Sequence, residues 1–350
     1  SPLNREGFSL PSFGKCTPTT RKCVMDLLQY FSTCNDHAPP HVGMEIETDF
    51  HMGFVKESAT YTPISPEITA ALLDPSRATG PHWERKLELG RQKIELAIAP
   101  GPIEETLVRA DQALGQLRDD ASELGATMYF GDFDPSEELL WIQEERDEIW
   151  VALDGRPALE ELCRCSSVQF TVNVTPSNAI AVINALWANW VHTWRYADND
   201  RRWRNYIQMS AAGYREDRYG GPRRFKDLAD YVDQIKKHNV VMHQGQPCNL
   251  PFDDVDSPDI ELFLRSVWWH YRLRRYGDQL TVEIRPFGRD VSFKELWERL
   301  SQVLANVNKP LFEQAMDEWF AKTRPNGAQV IHNHPQVHHH HMVGQQEPPY

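Results

Sequence analysis

Four runs of the chain alternate apolar with ionisable or amide residues at a period of two. They are Met44-Glu45-Ile46-Glu47, Lys93-Ile94-Glu95-Leu96-Ala97-Ile98, Val168-Gln169-Phe170-Thr171-Val172-Asn173-Val174 and Val282-Glu283-Ile284-Arg285. Successive side chains of a strand face opposite sides, so each run sends its apolar residues one way and its polar residues the other. If the four strands share a sheet, its polar face is a wall of Glu with one Arg. A half-exposed antiparallel sheet shows polar residues to water as a matter of course. Such faces usually mix lysine and hydroxyl residues with acids, however, because like charges on neighbouring strands repel. The phase of Glu45, Glu47, Glu95 and Glu283 is read here as carrying no lysine. Strands lie about 4.8 Å apart and alternate residues about 6.6 Å apart, so these carboxylates are close enough to share cations.

The remaining pattern supplies helices and further strands. Helical spacing predicts helices over 21–34, 102–124, 225–238 and 258–268, an apolar helix capped by Ser177 and running to Trp194, and a final helix over 292–322. Residues 137–148 and 159–163 are weaker helical candidates. Strands are expected over 42–50, 83–89, 93–99, 127–131, 169–174 and 280–287, with Gly90-Arg91-Gln92 closing a hairpin. The Thr-, Ser- and Pro-rich stretch 51–81 reads as a loop, with a short helix near 67–73, of a length that suits a lid. Helices between strands that carry one polar face predict an α+β domain: an antiparallel or mixed sheet with a concave polar face that binds metal, and helices on its other side. One catalytic domain over 1–322 is expected, followed by a flexible His-, Pro- and Gln-rich tail over 323–350.

Composition narrows the classes. The 350 residues are 41% hydrophobic and 25% charged, with a formal charge of −13, which suits a soluble globular protein and argues against a general nucleic-acid binder. Six scattered cysteines do not make a disulfide scaffold, and Cys163-Arg164-Cys165 lacks the spacer of a zinc or redox motif. With no apolar run of membrane length and no leader pattern, a cytoplasmic enzyme is the expectation. No phosphate-binding loop or dinucleotide fingerprint occurs, so a nucleotide would be held by metal and arginine. Mg²⁺ takes oxygen ligands, commonly a few carboxylates together with substrate phosphates. Arg285, two residues beyond Glu283 on the same face, is placed to neutralise a phosphoryl group in transfer.

Five short motifs in order then carry a resemblance. Val42-Gly43-Met44-Glu45-Ile46-Glu47 follows Leu28-Gln29-Tyr30-Phe31; Leu87-Glu88-Leu89-Gly90-Arg91-Gln92-Lys93-Ile94-Glu95-Leu96 forms a hairpin followed by Pro100; Ser167 to Asn173 is a third; Tyr214-Arg215 with Pro222, Phe225 and Tyr231 a fourth; Trp268-Trp269-His270-Tyr271-Arg272 followed by Thr281-Val282-Glu283-Ile284-Arg285 the last. Together they resemble the glutamate-cysteine ligases and, more broadly, the carboxylate-amine ligases and amidoligases of the glutamine synthetase catalytic superfamily. The resemblance implies a glutamine synthetase-like catalytic domain and an ATP-dependent ligase that forms an amide, a γ-glutamyl bond among the candidates, through an acyl phosphate. It implies that Glu45, Glu47, Glu88, Glu95 and Glu283 hold Mg²⁺ or Mn²⁺, Glu88 being a position that periodicity does not indicate. Arg285 and Arg272 are implied as catalytic and ATP-binding, Gln169 as nucleotide-binding in a place where some members have a metal-binding His, and Arg215 and Thr171 as substrate residues. The implied partners are small amino-acid-like carboxylates and amines, with no nucleic acid and no membrane, and with room for a homo-oligomer. A guanidino-type kinase on the same fold and a non-catalytic nucleotide- or peptide-binding homologue are the alternatives. Glu283→Gln and Arg285→Ala are expected to abolish ATP turnover and to leave the fold intact.

Overall fold

In a computed structural model the described residues are 26–37, 39, 41–129, 134–143, 145–190, 197–210 and 218–288. All of them belong to one compact unit. The 292–322 helix, the 323–350 tail, Tyr214 and Arg215 lie outside the described residues.

The core is a nine-stranded sheet whose described pairings are all antiparallel. Its main path runs β12 (Tyr271–Tyr276), β13 (Gln279–Gly288), β7 (Ser167–Val174), β1 (Val42–Val55), β5 (Lys93–Gly101), β4 (Trp83–Leu87) and β3 (Thr79–Gly80). Strand β1 is central: its first half pairs with β7 and β5, and its second half with β2 (Thr60–Pro63) and β6 (Thr127–Tyr129). The period-two reading therefore placed all four runs in one sheet, and an α+β fold with a large antiparallel sheet is what the chain forms.

The apolar phase of these strands is buried. Met44, Ile46, Ile94, Leu96, Val168, Phe170, Val172, Val282 and Ile284 join one core. Helices α1 (Leu27–Ser32), α3 (Ile103–Glu123) and α6 (Ala179–Trp190), with α8 (Leu228–Ile235), contribute Leu27, Phe31, Leu107, Leu114, Leu117, Ile183, Leu186, Tyr231 and Ile235 to it. The α3 spacing of Leu107, Ala110, Leu114, Leu117 and Ala121 is the stripe a helix needs to cover a sheet. Thr106 Oγ1 donates to the Val42 carbonyl at 2.8 Å and pins the helix start to β1. Arg85 also points to this side, where it reaches Asp120 of α3 at 2.5 Å.

Not every helix lies there. A second core joins α4 (Glu145–Asp154), α5 (Arg156–Cys163) and α7 (Ala197–Met209) through Leu153, Leu159, Cys163, Tyr206 and Ile207. The α5–β7 connection covers the start of β5, since the Cys163 carbonyl accepts from Gln92 Nε2 at 2.8 Å and the Cys165 carbonyl from Lys93 Nζ. The expectation of helices on one side only is corrected by this group. Cys163 and Cys165 are free and buried, with thiols pushed up by burial.

Three further expectations are revised. Residues 51–81 are not a loop, since β1 continues to Val55 and β2 returns beside it, while α2 (Pro66–Leu72) is the short helix expected near 67–73. The helix expected over 258–268 is only α9 (Ile260–Arg265), after which β11 (Trp268–Trp269), paired with β8 (Tyr219–Gly220), and β12 begin. A small hairpin of β9 (Val240–His243) and β10 (Gln246–Leu250) was not anticipated.

Gly90 closes the hairpin between β4 and β5 with φ +107°. A Cβ there would sit 2.8 Å from Gln92 Oε1 and 3.3 Å from Cys163 Cβ. Gly90→Ala is expected to destabilise the chain by about 1–3 kcal/mol, read by urea unfolding, because both the backbone strain and the contact act together.

Candidate functional site

Register brings the polar phase of the strands together. Glu47 lies opposite Glu95, Glu45 opposite Gln169, Thr171 opposite Glu283, and Glu283 opposite Arg272. Ten residues were named as site candidates, and nine of them fall on described strands or the β4–β5 turn. Seven of the nine resolve into two groups joined by Gln169.

The first group is acidic. One carboxylate oxygen from each of Glu47, Glu88 and Glu95 lies within 4.8 Å of the others. Glu95 is only 9% exposed, and among the described residues neither its carboxylate nor that of Glu45 has a side-chain hydrogen bond or ion pair. Burial, reinforced by Glu45, Glu88 and Glu47, pushes the Glu95 carboxyl well above its usual range. Burial also raises Glu47, to about 7, against the pull of Lys93 and the Ser167 hydrogen bonds. Glu45 is raised by burial and by Glu283. Carboxylates held this close, with fewer cations than acids beside them, bind protons or cations.

Hard oxygen donors suit Mg²⁺ or Mn²⁺. An octahedral ion with ligands at about 2.1 Å separates them by roughly 3.0–4.2 Å, so the three carboxylates fit after small side-chain rotations. Glu88, which the resemblance alone indicated, is therefore brought to the acids that periodicity indicated.

The second group is basic. Glu283 is buried and surrounded by three arginines: Arg272 Nη2 at 2.5 Å and Nε at 2.9 Å, Arg274 Nη1 at 3.4 Å and Arg285 Nη1 at 3.4 Å. Burial alone would raise the Glu283 carboxyl, but these guanidinium groups outweigh it and hold it near 2. The face is thus not a wall of Glu with one Arg. Glu283 stands in a different environment from Glu47, Glu88 and Glu95, and its counter-charge is already supplied by protein.

Arg272 is also engaged from behind. Its Nη1 donates to the carbonyls of Leu264 at 2.6 Å and Val267 at 2.9 Å, so four of its five N–H groups are used. Burial lowers its guanidinium to about 10. This arrangement anchors Glu283 and the α9–β12 connection. Arg274, which is not among the sequence candidates, alternates with Leu273 along β12 and faces Glu283 and, at 3.5 Å, Glu261.

Gln169 connects the halves. Its Oε1 accepts from Arg285 Nη1 at 2.9 Å, while its Nε2 donates to Glu47 Oε1 at 3.3 Å and Ser167 Oγ at 3.0 Å. Its oxygen is therefore directed at arginine, away from the acidic group. Thr171 lies between Gly43 and Glu283 on the same face.

Lysine is present on this face, contrary to the sequence reading. Lys93 shares the phase of Glu95 and is buried, with Nζ 3.7 Å from Glu47 Oε2 and 4.0 Å from Asp49 Oδ1. Lys86 lies opposite Glu95 and pairs with Glu84 at 2.8 Å. Asp49 and Lys93 were legible as members of the alternating runs, two residues beyond Glu47 and two before Glu95, but the count of charges stopped short of them.

The two groups respond oppositely to pH. The raised Glu47 carboxyl binds its proton more tightly folded than unfolded, so stability falls as pH rises from about 4.5 to about 7. The depressed Glu283 carboxyl contributes stability that is present above about 4.5 and lost as pH falls toward 2. The metal-free chain is expected to be more stable near pH 5 than near pH 7.5, by on the order of 2 kcal/mol, in thermal unfolding. Mg²⁺, which binds only ionised carboxylates, should flatten the alkaline side; a stability that rises from pH 5 to 7.5 in its absence would contradict the assignment.

Among the described residues no helix is long and apolar enough to cross a membrane. No family model matches the chain, and no curated protein matches it.

Proposed function

We propose that the chain is an ATP-dependent carboxylate-amine ligase of glutamine synthetase-like fold. The observation that carries this reading is the pairing on one sheet face of an oxygen-donor cluster, Glu47, Glu88 and Glu95, with an arginine-rich cluster at Arg285, bridged by Gln169. Phosphoryl transfer needs both: a cation to draw charge from the phosphates, and a guanidinium at the oxygens of the group that moves. A bound Mg²⁺ or Mn²⁺ supplies the first. Arg285, with part of its side chain open to solvent, supplies the second, and Gln169 fixes its direction.

In the proposed reaction a carboxylate oxygen of the acyl donor attacks the γ-phosphorus and the bond to the β-phosphate oxygen breaks, releasing ADP. The amine nitrogen then attacks the acyl carbon, the bond to phosphate breaks, and the nitrogen loses a proton. Arg272 keeps Glu283 ionised and in place, so that Arg285 has a fixed partner. The motif residues that resemble the glutamate-cysteine ligases support an amino-acid-like donor.

The test is ADP and phosphate release from purified chain with Mg²⁺ and ATP, screened against amino acids and amines, with products identified by mass spectrometry. An amide together with ADP and phosphate supports the ligase. ADP with a phosphorylated guanidino product replaces it with a kinase, and absence of both turnover and any Mg²⁺-dependent thermal shift with an ATP analogue replaces it with a non-catalytic homologue.

A further inference from the structure

Lys93 is a charged residue buried on the polar face, at 1% exposure. Its Nζ donates to the Cys165 carbonyl and to Ser166 Oγ at 3.2 Å, and it faces Glu47 Oε2 at 3.7 Å and Asp49 Oδ1 at 4.0 Å. Asp49 is held in turn, accepting from Gln92 Nε2 at 3.1 Å and from Ser166 Oγ. Lys93 is therefore a fixed cation between two carboxylates.

The face thus has three acidic stations. At Glu283 the counter-charge comes from Arg272, Arg274 and Arg285. Between Glu47 and Asp49 it comes from Lys93. At Glu47, Glu88 and Glu95 that same Lys93, shared through Glu47, is the one cation in an ion pair among the described residues, and Glu95, nine-tenths buried, has no side-chain partner among them.

We infer that Lys93 permanently fills the place a divalent cation would take between Glu47 and Asp49, so that the chain without nucleotide binds one divalent ion, at Glu47, Glu88 and Glu95. The inference rests on the metal-binding part of the proposed function. Lys93 acts as a positioning residue: it shares Glu47 with the metal, and so sets both the number of ions and the strength with which Glu47 binds one. Asp49 takes part without touching the ion, because it holds part of the Lys93 charge away from Glu47.

Mn²⁺ titrated into the full chain, with free Mn²⁺ read by electron paramagnetic resonance, tests this. The wild-type chain is expected to bind one Mn²⁺ and Lys93→Met two, the second at Glu47 and Asp49; Lys93→Met with Asp49→Asn should return to one. Asp49→Asn alone keeps the shape and the lysine, and should leave the count at one while weakening binding by about fivefold, since Lys93 then turns its charge on Glu47. This variant decides the matter should Lys93→Met fail to fold. Two ions on the wild-type chain, a folded Lys93→Met chain with one, or unchanged affinity in Asp49→Asn overturns the inference while leaving the metal-binding reading standing. No Mn²⁺ binding by the wild-type chain overturns both.

Discussion

Glu283→Gln is expected to lower the stability of the chain by about 3–5 kcal/mol, the cost of removing one partner from a buried charge cluster. The amide keeps the shape of the carboxylate but not its charge, which leaves Arg272, Arg274 and Arg285 facing one another with no shared anion. Arg272 cannot swing away, because its Nη1 is tied to the Leu264 and Val267 carbonyls. Thermal or urea unfolding measures the loss. Arg274→Met serves as the comparison and should cost less than half as much, since Glu283 then retains both Arg272 and Arg285. Equal stability of Glu283→Gln and the wild-type chain would show that the three arginines do not depend on this carboxylate. The expectation that this substitution would leave the fold intact is thus revised, and for a physical reason: alternation tells which side of a strand Glu283 occupies, but not that three guanidinium groups from β12 and β13 converge on it.

Arg285→Ala is expected to have the opposite profile, a large loss of the proposed activity with a small loss of stability. Removing a preorganised charge from a transferring phosphoryl group typically costs about 10²–10³ in kcat. Fold stability should fall by about 1 kcal/mol, the scale of the part-exposed hydrogen bond to Gln169, while Glu283 keeps Arg272 and Arg274. Steady-state ADP release at saturating ATP, beside a melting curve of the same sample, separates the two effects. The pattern expected of a phosphoryl-stabilising group is a fall in kcat that exceeds any rise in KM. A variant that turns over ATP within threefold of the wild-type rate would remove Arg285 from the mechanism and with it the central element of the proposed function.

The legible part of this protein was the part governed by a single strand or helix. Period two marked β1, β5, β7 and β13, and the Leu107, Leu114 and Leu117 stripe marked α3. The strand β12 was missed although Tyr271, Arg272, Leu273 and Arg274 alternate ring or apolar residues with arginines; all four are buried, and a run of arginines reads as a solvated face until its acidic partner is known. The same limit hid the Lys93 pair with Asp49. Both residues stand in runs that were recognised, yet their meeting depends on the register of β1 against β5, which puts them directly opposite each other. The helices α4, α5 and α7 were hard to place for another reason: they are held by buried polar contacts as well as apolar ones. Asp154, raised to about 6 by burial, accepts from Tyr206 Oη at 2.8 Å and Ser210 Oγ at 2.6 Å, and such contacts leave no period in the sequence.

The central position of β1 has a kinetic consequence. The carboxylate cluster is assembled from β1, β5 and the end of β4, within some fifty residues of chain, and it forms as soon as that local meander closes. The arginine cluster forms within the β12–β13 hairpin, but it reaches the acids only when β13 pairs with β7, and β7 with β1, across more than a hundred intervening residues. Long-range pairings of this kind form slowly because loop closure precedes the contacts that reward it. During folding the acids therefore meet before the guanidinium groups arrive, and a divalent ion present at that stage would speed refolding by relieving their early repulsion, an acceleration that stopped-flow fluorescence of the refolding chain would register.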